Sequence, residues 1–118
     1  MAITEKGAKS GEFRWMSGAA LDATDATSNF SESFPCAGYI EGAIQIVWTG
    51  ISSGAATVQT QTSVDGTNFD NYGAPQATSG TAGSATLQLA ALPGQFVRLS
   101  VTAAGGAGTV TPHVLVKR

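Results

Sequence analysis

The chain has 118 residues, enough for one domain with a real core. Only 12% of them are charged, and the formal net charge is −2. That balance leaves no basic footprint for nucleic acid or an anionic membrane surface, and the single cysteine, Cys36, excludes an internal disulfide and a cysteine-built zinc cage.

Residues 1 to 11 carry charges and glycines, with Ile3 as the one large apolar group after Met1. They read as an extended N-terminal arm ahead of a domain spanning 12 to 118. The start has no apolar stretch of the kind a secretory signal needs, and no run approaches membrane-helix length. The segment Phe13-Arg14-Trp15-Met16 reads as a short first strand. Ala19 to Ala26 reads as loop, with a helical turn as the alternative.

From Ser28 the pattern is strand, with Phe30, Glu32 and Phe34 on one side and Asn29, Ser31 and Ser33 on the other. Pro35 ends that run, because proline cannot donate to a ladder. Next, Ile44, Ile46 and Trp48 alternate with Gln45, Val47 and Thr49, the two-residue period of a strand. A Gly/Ser turn at 50 to 54 leads to Ala56, Val58, Thr60, Thr62 and Val64, which alternate with Thr57, Gln59, Gln61 and Ser63. Asp65-Gly66 then predicts a type I′ hairpin turn, with a return strand from Phe69. Residues 73 to 84 read as an uncharged loop. Strand signals resume at Ala85-Leu87-Leu89, and after a Pro93-Gly94 turn at Val97-Leu99-Val101. Val110, Pro112, Val114 and Val116 make the last strand, and Pro112 predicts that it lies at a sheet edge or carries a bulge.

Short strands at regular spacing, joined by Gly/Pro turns, indicate an all-β fold. The expectation is a single antiparallel β-sandwich, with a jelly roll as the specific candidate.

Catalysis needs a nucleophile, a base and an orienting group, or a metal cage. His113 is the sole histidine, out of phase with the valines around it, and reads as a surface or interface group. Cys36 reads as a buried, inert thiol. Asp22 and Asp25 share a stretch of loop, but their spacing demands no paired-carboxylate chemistry. Asp65, Asn68 and Asp70 suggest a calcium loop only without its closing glutamate, and turn chemistry accounts for them. No catalytic residue, cofactor or metal is therefore assigned. Among the aromatics, Trp48 is in phase with the core. Trp15, Tyr39 and Tyr72 are the candidates for exposure, and Phe96 faces outward if Val97, Leu99 and Val101 face in.

The string Val58-Gln59-Thr60-Gln61-Thr62-Ser63-Val64-Asp65-Gly66-Thr67-Asn68-Phe69, followed by Gln95-Phe96-Val97-Arg98-Leu99-Ser100-Val101, resembles small β-sandwich proteins of tailed-phage virions. The likeness covers about residues 40 to 118. The same hairpin followed by "vRl.v" also looks like discoidin-type sugar-binding jelly rolls and fibronectin-like modules. The phage resemblance implies a non-enzymatic structural role in the virion, such as capsid decoration (cement) or a tail or collar component. Its partners would be the major capsid protein or other virion proteins, met in the host cytoplasm where virions assemble. A homo-oligomer is expected, with a trimer as the working assumption.

The low charge agrees with that role, because Thr, Ser, Gln and Ala can be covered by a partner without desolvating charge. The expected interface residues are Ile3, Glu5, Lys6 and Lys9 on the arm, with Gln45, Gln59, Gln61 and Phe96 on the domain. The alternative reading is a carbohydrate-binding module that stacks sugars on Trp15, Tyr39 or Tyr72.

Overall fold

The computed structural model describes residues 4–5, 13–22, 29–51, 56–89, 95–102 and 108–117. Among these residues, twelve strand segments form two antiparallel sheets. In chain order they are β1 (Thr4–Glu5), β2 (Phe13–Ser17), β3 (Leu21–Asp22), β4 (Asn29–Phe30), β5 (Phe34–Pro35), β6 (Glu41–Thr49), β7 (Thr57–Ser63), β8 (Asp70–Asn71), β9 (Gln76–Ala77), β10 (Gly83–Leu89), β11 (Phe96–Thr102) and β12 (Thr109–Lys117). Sheet A runs β1-β2-β12-β6-β10, with β3 continuing β2 along β12. Sheet B runs β4-β11-β7-β8, with β5 continuing β4 along β11 and β9 continuing β8 along β7.

Three interrupted pairs, β2–β3, β4–β5 and β8–β9, each line one neighbour and occupy one position in the sandwich. Counting each as one leaves eight positions after β1. Sheet A then reads 1-8-3-6 and sheet B 2-7-4-5, so the pairs 1·8, 2·7, 3·6 and 4·5 nest as one long hairpin folded over itself. That is the wrapping of a jelly roll. The expected sandwich is what the chain forms.

The core lies between the sheets. Sheet A contributes Met16, Leu21, Ile44, Ile46, Trp48, Leu89, Val110, Val114 and Val116, all buried. Sheet B contributes Phe34, Val58, Val97, Leu99 and Val101. Alternation explains the selection: each of these strands turns every second side chain inward. Trp48 is 4% exposed and its Nε1–H donates to the Ser79 carbonyl at 3.1 Å, which satisfies its one polar atom inside the core.

Pro112 is not on an edge. β12 lies inside sheet A, paired on one side with β6 over nine positions and on the other with β2 and β3. The pairing passes from Ser17↔His113 to Leu21↔Val110, four residues on one strand against three on the other. The extra residue therefore sits in the neighbour, as a bulge between β2 and β3. Pro112 lies opposite this break. Its carbonyl accepts from Gly18 N–H at 3.0 Å, so its missing N–H also faces the break and costs no bond to β6.

Sheet B repeats the device. Phe30 pairs Ser100 and Phe34 pairs Val97, again four residues against three. The strand expected from Ser28 onward is thereby split. Phe30 and Phe34, predicted on one face, lie on opposite faces: Phe34 is fully buried and Phe30 is 45% exposed. The two breaks meet in space. A Cβ on Gly18 would lie 2.8 Å from Glu32 Oε1 and 2.9 Å from both Phe34 Cζ and Pro112 Cγ.

The predicted type I′ turn at Asp65-Gly66 does not form. No described non-glycine residue has positive φ, while that turn needs it at both central positions. Instead Thr62 pairs with Asp70, and a longer connection spans 64 to 69. The strand phase also ends early, since Ser63 is buried and Val64, expected inside, is 67% exposed. The stretch from 73 to 84, read as loop, contains β9 and the start of β10. Within the stretch Ala19 to Ala26, read as loop, Leu21–Asp22 is β3, and residues 23–28 lie outside the described set.

Alanine at Gly18 should lower the unfolding free energy by about 1–3 kcal/mol, the cost of overpacking. A urea titration reads this as an earlier midpoint, and an unchanged midpoint would mean the two breaks do not press on one another.

Candidate interaction surfaces

The outer face of sheet A is built from the alternate residues that the core does not take. Across the sheet, Trp15 pairs Leu115, which pairs Ala43, which pairs Gln88. The next row runs Ser17, His113, Gln45, Thr86. Trp15 and Leu115 are 46% and 37% exposed and stand side by side, an apolar patch within a field of hydroxyl and amide groups. Charge sits at the ends of this face: at one end Lys117 Nζ lies 4.0 Å from Glu41 Oε1, and at the other Asp22 is paired in register with Thr109. His113 is half-buried and shares a 2.7 Å hydrogen bond between Nδ1 and Ser17 Oγ. Gln45 is exposed and its side chain has no hydrogen bond among the described residues.

The outer face of sheet B differs, because its polar groups are already engaged. Gln59 Nε2 donates to the carbonyls of Thr60, Tyr72 and Gly73 at 2.9 to 3.2 Å. Gln61 accepts from Arg98 Nε at 2.8 Å and donates to Asn71 Oδ1 at 3.0 Å. The Arg98 guanidinium lies between two rings, 4.1 Å from the Phe30 centroid and 4.0 Å from that of Phe69. Partial burial pulls the Arg98 pKa down from its ordinary value. Both rings offer their negative faces to the cation, so this stack ties the β4 edge to the loop after β7.

That loop is organised by Asp65. Its Oδ1 accepts from the N–H groups of Asn68 and Thr67 at 2.8 Å and from Ser63 Oγ at 2.9 Å. Asn68 Nδ2 donates to Oδ2 at 2.8 Å, and Gly66 N–H donates to Ser63 Oγ at 2.9 Å. The backbone N–H of Asn68, then that of Thr67, then the two side-chain donors hold the Asp65 carboxyl well below the usual carboxylate range. Gly66 takes φ +78°, and the ring of Phe96 covers it at 3.1 Å from the Cβ position.

The expected interface residues therefore separate. Gln45 lies on sheet A, whereas Gln59, Gln61 and Phe96 belong to sheet B, on the opposite side of the sandwich. Phe96 lies outward as expected but half-covered against the Gly66 loop. Glu5 lies in β1, paired opposite Met16 of this same chain, while Ile3, Lys6 and Lys9 lie outside the described residues. Of the three aromatics expected outside, Trp15 is exposed, but Tyr39 and Tyr72 pack against the core. The Phe30–Arg98–Phe69 stack went unseen in the sequence. Its signal was the outward phase of Arg98, which alone does not choose the rings it meets.

No three His, Cys, Asp or Glu side chains cluster among the described residues. Cys36 is fully buried, its Sγ–H donating to the Phe34 carbonyl at 3.3 Å. Burial, opposed weakly by Arg14, pushes its pKa up to about 12.

No protein-family model matches the chain, and no curated protein sequence does. Among solved structures, the crystal structure of PirA is similar, with a TM-score of 0.51 and 12% identity over 86% of this chain and 93% of that one. A likeness at that identity is one of fold, and folds of this kind host unrelated functions.

Three outcomes follow from this geometry. Arg98→Lys keeps the charge but loses the planar stack and the Gln61 bond, and should cost about 1 kcal/mol in denaturant unfolding. Asp65→Ala should be less stable than the parent at neutral pH. Because the folded carboxyl titrates below its unfolded value, its contribution is present above that unfolded value and fades as pH falls. The stability gap should therefore narrow on acidification below about pH 4. Cys36 should resist thiol reagents at mildly alkaline pH until denaturant is added. Rapid labelling of the folded chain would contradict its burial.

Proposed function

We propose that this chain is a non-enzymatic structural subunit of a virion, a capsid decoration or cement protein that binds the major capsid protein through the outer face of sheet A. The observation that carries the reading is that face itself. It is an almost uncharged surface with Trp15 and Leu115 exposed side by side and, among the described residues, Gln45 without a side-chain hydrogen bond beside them. Such a face gives a partner apolar area and amide hydrogen bonds without charge desolvation. A Trp beside a Leu is also the composition of an interface anchor. Sheet B is the less available side, because Gln59, Gln61 and Arg98 are bonded within the molecule.

The virion assignment rests on the sequence resemblance, and the jelly roll is compatible with it, being common to capsid and lectin domains. Adhesion is the mechanism: a stiff two-sheet body bridges neighbouring capsid subunits and raises the cost of separating them. The sugar-binding alternative is left with Trp15 alone, since Tyr39 and Tyr72 pack inward.

The test uses particles stripped of the protein and then recharged with variants. Gln45→Lys and Trp15→Ala should each cut occupancy about tenfold or more, the effect of a charge or a lost anchor at an interface centre. Thr57→Lys, on sheet B, should bind normally. Full occupancy by Gln45→Lys would overturn the assignment of sheet A.

A further inference from the structure

The two sheets have four edges, and three are guarded. β4–β5 is broken by a bulge and ends at Pro35. β8 and β9 are two residues each, separated by a stretch that contains Pro75. β1 is two residues long. Short pieces, bulges and prolines are how β-proteins stop their edges from pairing with other chains.

The fourth edge has none of these. β10 runs seven residues, Gly83–Leu89, in unbroken register with β6. Its sequence, GSATLQL, has no charge and no proline. Among the described residues it has β6 on one side and nothing paired on the other. Ser84, Thr86 and Gln88 are exposed on the outer face, while Ala85 and Leu87 point inward and remain half-covered at the margin of the core.

We propose that β10 is the seam of a two-fold dimer, in which two copies of this chain pair their β10 strands antiparallel about Thr86 and join their A sheets into one. The strand fits its own copy. Centring on Thr86 sets Ala85 against Leu87 of the second copy and Ser84 against its Gln88, so inward meets inward and outward meets outward. The half-covered Ala85 and Leu87 of each chain then extend a shared core, and the free backbone groups of both edges are satisfied. No like charges oppose one another. A two-fold contact of this kind is isologous and closed, so it ends at a dimer. It takes the place of the trimer expected above, and it does not depend on what the outer face of sheet A binds.

The experiment is native mass or sedimentation analysis of the whole chain and three variants. The parent should be a dimer at high protein concentration. Thr86→Lys places two ammonium groups face to face across the axis and should weaken the dimer about tenfold or more, with an unchanged circular-dichroism spectrum. Thr86→Cys should form a disulfide-linked dimer under mild oxidation, because directly opposed strand residues fall within disulfide reach. Trp15→Ala, on β2 and three strands away from the β10 edge, should leave the dimer intact, which separates this claim from the particle-binding one. A parent that stays monomeric, a dimer untouched by Thr86→Lys, or a Thr86→Cys dimer that does not cross-link would each overturn the seam.

Discussion

Everything in this molecule hangs on the pairing of β6 with β12. It joins residues 41–49 to 109–117 without a break, at the centre of sheet A. Closing it brings together parts of the chain far apart in sequence, which costs entropy that only burial can offset. The inward rows Ile44-Ile46-Trp48 and Val110-Val114-Val116 supply that burial, against Val97, Leu99 and Val101 of sheet B. Once this ladder is set, alternation fixes which side chains face out. Gln45, His113 and Leu115 are outside because their neighbours are inside.

The paired interruptions follow from the same constraint. A proline in a central strand would leave a ladder bond unmade unless its neighbour were already broken. The bulge between β2 and β3 supplies the break, and Gly18 donates to the Pro112 carbonyl across it. The matching bulge between β4 and β5 turns Phe30 outward, where it can flank Arg98. A departure from regular pairing in each sheet thus does two jobs: one admits a proline into the interior, and the other builds the cation–aromatic stack.

The class of fold was legible because the two-residue period is strong in β6, β7, β11 and β12. Burial of Trp48 was legible for the same reason. What period alone cannot show is where the count slips by one. The extra residues at 18–20 and 31–33 leave no local mark, so Phe30 and Phe34 were put on one face. Asp-Gly invited a two-residue turn, but the Asp65 carboxylate gathers four donors and a longer loop wins. Gln45 and Gln59 look alike in sequence. Only the sheet order separates them, one on sheet A without a side-chain hydrogen bond among the described residues and the other locked to three carbonyls on sheet B.

The central proposal is that a partner is met by the almost uncharged outer face of sheet A, while the polar groups of sheet B are bonded within the molecule. Hydroxyl-radical footprinting of the free and the particle-bound chain tests it most directly, because Trp15, Leu115 and Phe30 are exposed reporters on the two faces. The account predicts that Trp15 and Leu115 lose labelling on assembly while Phe30 keeps it. Protection of Phe30 with Trp15 still fully labelled would contradict it.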